Sequence, residues 1–411
     1  MATGEFLNPA RLSKTPLGIK AEKKHHVITH NPSSANPCET LYVRIPKLTT
    51  NTFYVPGSLY LSADVELSGE TGNDNHLVQN FGRNIISRLS VKWGSTIVYD
   101  LNNYDLYMTY KDLWLPKEKR DEMTFEGIQD INVNKLRSGL TVGGANAGEK
   151  MLNEVYGNKY KIPLDFEILT DHAPLYKYVL DENIIFELQL NSVNQVLNSS
   201  KKKEWNYKLT NICLEYDTVT DSNIASTINQ QYIIGYGFMY DKVEHFATDN
   251  IKANDTFIRE HINIPARSVK GILLLFTKSF DEGQRDTEQF CNPEIKDVEI
   301  TIDGIGFQIF ANGMRMLDQW TEAKKFFMSN KLHSFMDIKK YYGKGYGLWI
   351  DCRTTEDNSL HGSGLKLQNT KDGIQLHLKK KAGEGPYKMN VFVVMDAQIN
   401  VSNCQLKSVQ L

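Results

Sequence analysis

Val55-Pro-Gly-Ser-Leu-Tyr-Leu61 has a counterpart 214 residues later in Val269-Lys-Gly-Ile-Leu-Leu-Leu275, and this pair of segments is the most informative feature of the sequence. Upstream, Ile45-Pro46 matches Ile264-Pro265, displaced by 219 residues. A downstream match displaced by 209 residues sets Ile86, Leu89, Val91 and Trp93 against Ile295, Val298, Ile300 and Ile302. Because the matches keep one order and the displacement drifts by only a few residues, they indicate two copies of one domain with loops of different length.

Alternating apolar and polar residues predict that each copy consists of β-strands. Leu61, Ala63 and Val65 alternate with Ser62 and Asp64, a pattern typical of a strand with one buried face. The same reasoning predicts strands at Leu59–Leu67, Leu89–Trp93, Thr96–Tyr99, Ile162–Ile168, Ile184–Leu190, Tyr207–Tyr216, Leu348–Cys352, Leu365–Leu367, Ile374–Leu378 and Met389–Val401. Each copy therefore holds about eight short strands, the number in a jelly roll.

Each copy also carries one amphipathic helix after its downstream matched segment. The first is predicted from Tyr104 to Trp114 and stops at Pro116. The second is predicted to place Leu317, Trp320 and Phe327 on one face. A parallel α/β fold would need a helix after nearly every strand, and the sequence lacks those helices. We therefore predict an all-β fold of two tandem eight-stranded jelly rolls, a double jelly roll, each with a short inserted helix.

Composition divides the chain into an arm and two domains. Residues 1–37 carry five Lys or Arg, two acidic residues and several prolines, so we expect an extended N-terminal arm. The first jelly roll is predicted at residues 38–221 and the second at residues 233–411, joined by a polar linker at residues 222–232.

The charge balance excludes a polybasic protein that condenses nucleic acid. With 47 Lys and Arg against 49 Asp and Glu, the formal net charge is −2, and only the arm offers DNA a weak, non-specific contact. The five cysteines form no CxxC pair, so we expect reduced thiols rather than a zinc ribbon or a disulfide framework. The N-terminus lacks a signal pattern and the apolar runs are short, so we expect neither secretion nor membrane insertion.

The glycine-rich segments match no complete catalytic or nucleotide-binding motif. Gly143–Gly148 begins like a phosphate-binding loop, but Glu149 stands where lysine is required. Gly235–Gly237 and Gly343–Gly347 have no strand–turn–helix unit around them. His361–Gly364 lacks the glycine that a nucleophile elbow places two residues before its serine.

Histidines and lysines likewise predict no site. The densest group of potential metal ligands is His25, His26, His30 and Cys38, but a proline-broken arm would not fix a tetrahedral geometry. Lys201–Lys203 and Lys379–Lys381 stand at strand margins, where lysines keep edges soluble. The sequence therefore predicts no catalytic, cofactor-binding or metal-binding residue, no cofactor and no enzyme.

One long stretch of the chain resembles a known family. The residues that carry the resemblance are Asn73-Asp-Asn-His-Leu-Val-Gln-Asn-Phe-Gly-Arg-Asn-Ile-Ile86, Leu89-Ser-Val-Lys-Trp93 and Val98-Tyr-Asp-Leu-Asn-Asn-Tyr-Asp-Leu-Tyr-Met-Thr-Tyr-Lys-Asp-Leu-Trp114. They resemble the double jelly-roll major capsid proteins of Polinton/Maverick and adintovirus-type elements, the lineage of adenovirus hexon and virophage capsids. The resemblance runs from residue 31 to the C-terminus and is strongest over residues 38–115. The tower insertions of hexon are absent.

This resemblance implies a structural major capsid protein. Three chains with two rolls each would form a pseudo-hexameric homotrimer that tiles an icosahedral shell around a double-stranded DNA genome. The implied partners are the chain itself, neighbouring trimers, penton proteins and minor capsid proteins. The implied location is the virion, after assembly inside the host cell. Two alternatives stay open at this point: a jelly-roll carbohydrate-active enzyme or lectin, and a minor capsid or spike protein of the same particle.

Overall fold

The structure is a computed structural model, and it describes residues 20–49, 51–68, 76–128, 158–170, 182–198, 206–225, 236–278, 287–303, 305–306, 314–328, 334–355, 361–368, 370–383, 385–402 and 405–411. By packing, the chain divides into two compact units. The first unit takes residues within 1–104, 123–240 and 397–410, and the second takes residues within 105–122 and 241–396, with residue 411.

Two antiparallel sheets and one short strand pair make up the first roll. Its strands are β1 (Glu22–Thr29), β2 (Thr40–Ile45), β3 (Thr52–Tyr54), β4 (Tyr60–Ser68), β5 (His76–Leu77), β6 (Ile86–Trp93), β7 (Thr96–Asn102), β8 (Lys159–Pro163), β9 (Ile184–Leu190), β10 (Leu197–Asn198) and β11 (Asn206–Thr220). One sheet has the order β1-β11-β4-β8, with β3 also paired to β11, and the other has the order β2-β9-β6-β7. Strands β5 and β10 pair with each other.

The second roll has the same plan. Its strands are β12 (Tyr236–Ile251), β13 (Phe257–Ile262), β14 (Val269–Thr277), β15 (Ile295–Ile302), β16 (Ile305–Gly306), β17 (Gly347–Asp351), β18 (Ile374–Lys380), β19 (Tyr387–Ser402) and β20 (Gln405–Gln410). One sheet has the order β12-β19-β14-β17, with β20 also paired to β19, and the other has the order β13-β18-β15-β16.

Both rolls have the strand order of a jelly roll. Apart from the added strands β3, β5, β10 and β20, each roll has eight strands. When these eight are numbered 1 to 8 in chain order within each roll, one sheet has the order 1-8-3-6 and the other has the order 2-7-4-5 in both rolls. The repeat extends to single residues. Ile184 pairs with Ile45 on one side and Trp93 on the other in the first roll, and Ile374 pairs with Ile262 and Ile302 in the same way in the second roll. The predicted fold class, two tandem eight-stranded jelly rolls, is confirmed.

Strand register corrects one of the sequence matches. Ile45 pairs with Ile184, and the equivalent Ile374 pairs with Ile262. Ile262 is therefore the counterpart of Ile45, so the match of Ile45-Pro46 to Ile264-Pro265 is two residues out of register. A proline follows a strand end in both rolls because it has no N–H to donate to a sheet, and the second roll places two further residues before it.

The two matched glycines also differ in position. Gly57 lies before β4 in a turn with φ of 72°, a conformation that favours glycine. Gly271 lies inside β14, where a Cβ would approach the Trp349 ring to 2.3 Å. The sequence match therefore aligned two small residues that are required for different reasons.

Helices occupy the connections between strands. They are α1 (Phe81–Asn84), α2 (Tyr104–Asp112), α3 (Lys117–Glu122), α4 (Glu167–Thr170), α5 (Val193–Val196), α6 (Met316–Phe327) and α7 (Ile338–Gly343). Helices α2 and α6 are the two predicted helices. Leu317 of α6 is 68% exposed, contrary to prediction. It lies two residues, about 200° around the helix axis, from the buried Gln319.

The N-terminal region departs from the predicted arm. Residues 1–19 lie outside the described residues, and Glu22–Thr29 forms β1, paired along its whole length with β11. Strand β1 lies at a sheet edge and its residues are mostly exposed. An exposed, lysine-containing edge strand lacks the alternation of a core strand, so the first roll begins earlier than the predicted residue 38.

The units do not follow the two halves of the sequence. Residues 105–122, within the predicted first domain, pack in the second unit. In the predicted linker, residues 222–225 are helical, and residues 226–232 lie outside the described residues.

Two predicted strands differ in the structure. Strand β8 ends at Pro163, which has no N–H to continue the ladder, and Ile168 lies in α4 instead. Leu365 makes only an isolated bridge to Val269, because the next apolar residue, Leu367, donates its N–H to the Ala266 carbonyl. No helix in the described ranges is long and apolar enough to cross a bilayer.

Candidate functional site

Among the described residues, the second unit holds a buried cluster of ionisable side chains around Lys270. Lys270 of β14 places Nζ 2.5 Å from Asp241 Oδ1 on β12 and 3.3 Å from Asp396 Oδ1 on β19. The Lys270 and Asp396 side chains are only 1% and 4% exposed. Sequence reasoning missed this group, although a lysine inside the most apolar strand of the chain was a usable signal.

The Asp396 carboxylate is saturated with hydrogen bonds. Ser268 Oγ donates to Oδ2 at 2.5 Å, and the Gly362 amide donates to the same oxygen at 2.8 Å. His361 Nδ1 lies 2.8 Å from Oδ1. Burial alone would raise the pKa of Asp396, but these hydrogen bonds and the Lys270 charge lower it to about 2. Asp396 is therefore an anion at neutral pH.

Lys270 supplies the matching positive charge. Burial alone would lower the pKa of Lys270, but Asp241 and Asp396 raise it above its ordinary value. The ligand atoms of Asp241, His361 and Asp396 lie within 4.8 Å of one another, as a metal site would require. The Lys270 ammonium already contacts both carboxylates, so a metal ion would have to displace it or bind beside it against charge repulsion. The residue set fits an internal ion pair better than a metal centre.

The same group does not form a nucleophile–base relay. Ser268 and His361 each bond to Asp396, whereas a triad requires the histidine to bond to the serine. Ser268 Oγ also accepts from the Gly364 amide at 3.0 Å. The segment His361–Gly364, which resembled part of a nucleophile elbow, thus serves to enclose the Asp396 carboxylate.

The histidines of the N-terminal segment do not converge on a common point. His25 Nδ1 lies 2.7 Å from Asp217 Oδ1, and His26 Nε2 lies 2.7 Å from Thr218 Oγ1. Each binds β1 to β11. His30 Nδ1 lies 2.6 Å from the carbonyl oxygen of Pro32. Four cysteines in the described ranges, Cys38, Cys213, Cys291 and Cys352, are free thiols.

The basic and glycine-rich segments have structural roles where they are described. Lys379 bridges Asp297 and Glu299 at 3.0 Å each, while Lys380 is buried and donates to backbone carbonyls. Gly343–Gly347 connects α7 to β17. Gly143–Gly148, Gly235 and Lys201–Lys203 lie outside the described residues.

Helices α2 and α6 cover one face of sheet β12-β19-β14-β17 in the second unit. Trp349 of β17 stacks on Phe326 of α6 with ring centroids 3.9 Å apart, and Tyr107 of α2 lies 5.5 Å from Phe392 of β19. Every residue of β14 is buried. Because both faces of this strand are covered, its residues 271–276 form a continuous apolar run instead of alternating, and its one charged residue, Lys270, is buried.

The equivalent face of the first roll is polar, with half-exposed lysines around a Glu215 side chain that is only 5% exposed. Glu215 of β11 is surrounded by Lys161 at 2.6 Å, Lys159 at 3.5 Å and His25 at 3.6 Å. Burial alone would raise the pKa of Glu215, but hydrogen bonds and the lysine charges lower it. Val27 of β1, paired with Glu215, is exposed beside them. This face can contact water or a polar partner surface.

The other sheet of the first roll also presents a mixed surface. Arg88 makes two hydrogen bonds to Asp100, of 2.7 Å and 2.6 Å, so that both charges are neutralised within the sheet. Tyr42 and Ile97 are exposed on the same sheet. Exposed aromatic and aliphatic residues beside paired charges are typical of protein–protein contact surfaces.

No protein-family model and no curated protein matches this chain. Solved structures do match, at 8% to 11% sequence identity over nearly the whole chain. The capsid of the virus PBCV-1 has a TM-score of 0.62 at 10% identity and covers 96% of this chain and 98% of its own. The Faustovirus major capsid protein has a TM-score of 0.59 at 8% identity, with coverages of 96% and 92%. The mavirus major capsid protein has a TM-score of 0.53 at 11% identity, with coverages of 97% and 91%.

These similarities span both rolls and both chains almost completely. At such low identity they establish the fold and leave residue roles to the structure itself. The chain has the double jelly-roll fold of viral major capsid proteins, as the sequence resemblance implied.

Proposed function

We propose that this chain is a major capsid protein. The observation that carries the proposal is the match of both rolls, over 96% of the chain, to the PBCV-1 capsid. The buried ionic group fits a structural role, because Lys270 bonds to both Asp241 and Asp396, and Ser268 and His361 bond to Asp396 rather than to each other. The protein is accordingly a component of the virion.

The chain forms a homotrimer of pseudo-hexameric shape that tiles an icosahedral shell around double-stranded DNA. Two rolls with one strand order give three chains six similar rolls, and cyclic symmetry closes the ring. The net charge of −2 on 411 residues keeps repulsion between neighbouring trimers small at physiological salt.

Further partners follow from a shell built of such trimers. Penton and minor capsid proteins would fill the vertices and seams between trimers. DNA contact is weak and non-specific, because two N-terminal lysines are already paired, Lys23 with Asp217 and Lys24 with Glu22.

Light scattering coupled to size-exclusion chromatography tests the proposal. The purified chain is expected to have three times its 46.9 kDa mass at micromolar concentration. A stable monomer would contradict the proposal. Glycan binding or glycoside hydrolysis by the pure protein would favour the carbohydrate-active alternative.

A further inference from the structure

Strands β12 and β19 run through both units. Residues 236–240 of β12 and 397–402 of β19 belong to the first unit, whereas the remaining residues of both strands belong to the second. The two strands are neighbours in the sheet β12-β19-β14-β17. Because the backbone of a strand is continuous, the release of a strand in one unit also loosens its continuation in the other.

In the first unit, β12 is held by buried aromatic side chains. The Phe238 ring lies 6.1 Å from the Trp93 ring, and the Tyr240 ring lies 5.8 Å from the Phe166 ring. Tyr240 Oη also donates to the Val98 carbonyl at 2.5 Å. The start of β12 is therefore part of the core of the first unit.

In the second unit, the buried ionic group around Lys270 holds the same two strands. Asp241 is the first residue of β12 in this unit, and Asp396 is the last residue of β19 in it. Lys270 of β14 bonds to both carboxylates, at 2.5 Å and 3.3 Å, and its side chain is 1% exposed. The Asp396 amide also donates to the Ser268 carbonyl at 2.9 Å. One cation thus ties both strands to β14 at the residues where they continue into the first unit.

The first roll has an equivalent aspartate with a different partner. Asp217 and Asp396 each follow the part of the eighth strand that pairs with the third strand. Asp217 pairs with Lys23 of β1, whose side chain is 64% exposed, whereas that of Lys270 is 1% exposed. Strands β1 and β11 lie wholly within the first unit. The buried cation therefore occurs where the strands continue into another unit, and the exposed cation occurs where they do not.

We propose that Asp241, Lys270 and Asp396 form a clamp that couples the unfolding of the two units. While the clamp is intact, the second unit cannot unfold without pulling on strands that are anchored in the first. Without the ammonium group, two carboxylates on adjacent strands repel each other. The second-unit parts of β12 and β19 can then detach while aromatic packing keeps the start of β12 in place, so unfolding divides into two steps. This inference does not depend on the proposed capsid role.

Pulsed hydrogen exchange with mass spectrometry along a urea series tests the clamp in the full-length chain. Strands β6 and β9 report on the first unit, and the equivalent strands β15 and β18 report on the second. In the wild-type protein all four strands should lose protection at one urea midpoint. In Lys270→Met, β15 and β18 should lose protection at a midpoint about 1 M urea or more below that of β6 and β9.

Asp241→Ala is a second variant that tests the clamp if Lys270→Met does not fold. It releases only β12, because Lys270 still pairs with Asp396. The midpoints of the two units should separate in the same direction, by a smaller interval than in Lys270→Met.

Two control variants distinguish coupling from general destabilisation. Leu376→Ala removes a fully buried side chain from β18, in the other sheet of the second roll, and leaves the clamp intact. It should lower the midpoints of both units together. Lys23→Met removes the exposed cation of the first-roll pair and should leave all midpoints nearly unchanged.

Three outcomes would overturn the inference. The first is a common midpoint for both units in Lys270→Met and in Asp241→Ala. The second is separate midpoints in the wild-type protein. The third is a separation in Leu376→Ala as wide as that in Lys270→Met.

Discussion

Lys270 shows how one residue can determine the stability of a sheet. It is 1% exposed and bonds to two carboxylates on neighbouring strands. Lys270→Met would leave Asp241 and Asp396 facing each other without a cation, so we expect a loss of about 3–5 kcal/mol in the free energy of unfolding. Urea denaturation followed by circular dichroism measures the loss.

The control for that variant is Lys23→Met. Lys23 pairs with Asp217 at 3.0 Å, but its side chain is mostly exposed. Its removal should cost less than about 1 kcal/mol. Equal losses in the two variants would show that the Lys270 pair is not energetically special.

The lowered pKa of Asp396 predicts how the free energy of unfolding depends on pH. Its pKa is about 2 in the folded chain, below the ordinary 3.8, so the unfolded chain binds more protons between these values. The stabilisation is present above pH about 4 and is lost as the pH falls towards 2. Asp396→Asn should remove this part of the dependence in urea titrations at a series of pH values. Parallel curves for wild type and variant would contradict the assignment.

Gly271 is predicted to tolerate no larger residue. An added Cβ would lie 2.3 Å from the Trp349 ring and 2.7 Å from the Ile350 carbonyl oxygen. Gly271→Ala should therefore lower the free energy of unfolding by about 1–3 kcal/mol through overpacking. Gly306→Ala, where no atom lies within 4 Å of the added Cβ, is the control and should be nearly neutral in the same urea measurement.

At the scale of elements, helices α2 and α6 form a layer in the second unit that is held together by aromatic packing. Trp114 follows α2, is buried, and stacks on Trp320 of α6 at 5.5 Å. Trp114→Ala should destabilise this layer by about 3–5 kcal/mol, because a large cavity remains. Hydrogen exchange should show loss of protection in α2 and α6.

Tyr42→Ala serves as the control for the Trp114 variant. Tyr42 is exposed on β2, and its replacement should change stability by no more than about 0.5 kcal/mol. Undiminished protection of α6 in the Trp114 variant would mean that the helix layer does not depend on this stack.

Elements with strong patterns could be predicted from the sequence. Strand β9 matches its predicted bounds, Ile184–Leu190, because its residues alternate between a buried and a solvated face. Helix α2 was predicted from its apolar spacing and from Pro116. Strand β1 was missed, since an exposed edge strand has no buried stripe to detect.

The candidate site was beyond sequence reasoning for a different reason. Asp241, Lys270 and Asp396 come from strands β12, β14 and β19, which are not consecutive in the chain, and only the sheet order brings them together. The packing of residues 105–122 in the second unit is likewise a tertiary choice, since their local sequence specifies a helix but not its partner.

For the whole molecule, the repeated strand order has the greatest consequence. Two rolls of one topology allow three chains to present six similar rolls, which is the geometry of a hexagonal tile. The proposed capsid role and the proposed trimer both depend on this equivalence.

Electron microscopy of the purified protein tests the central claim most directly. Class averages viewed along the symmetry axis should show a closed block with six similar densities in a nearly hexagonal outline. Particles with the two densities of a single chain, or open chains of subunits without a closed ring, would contradict the account.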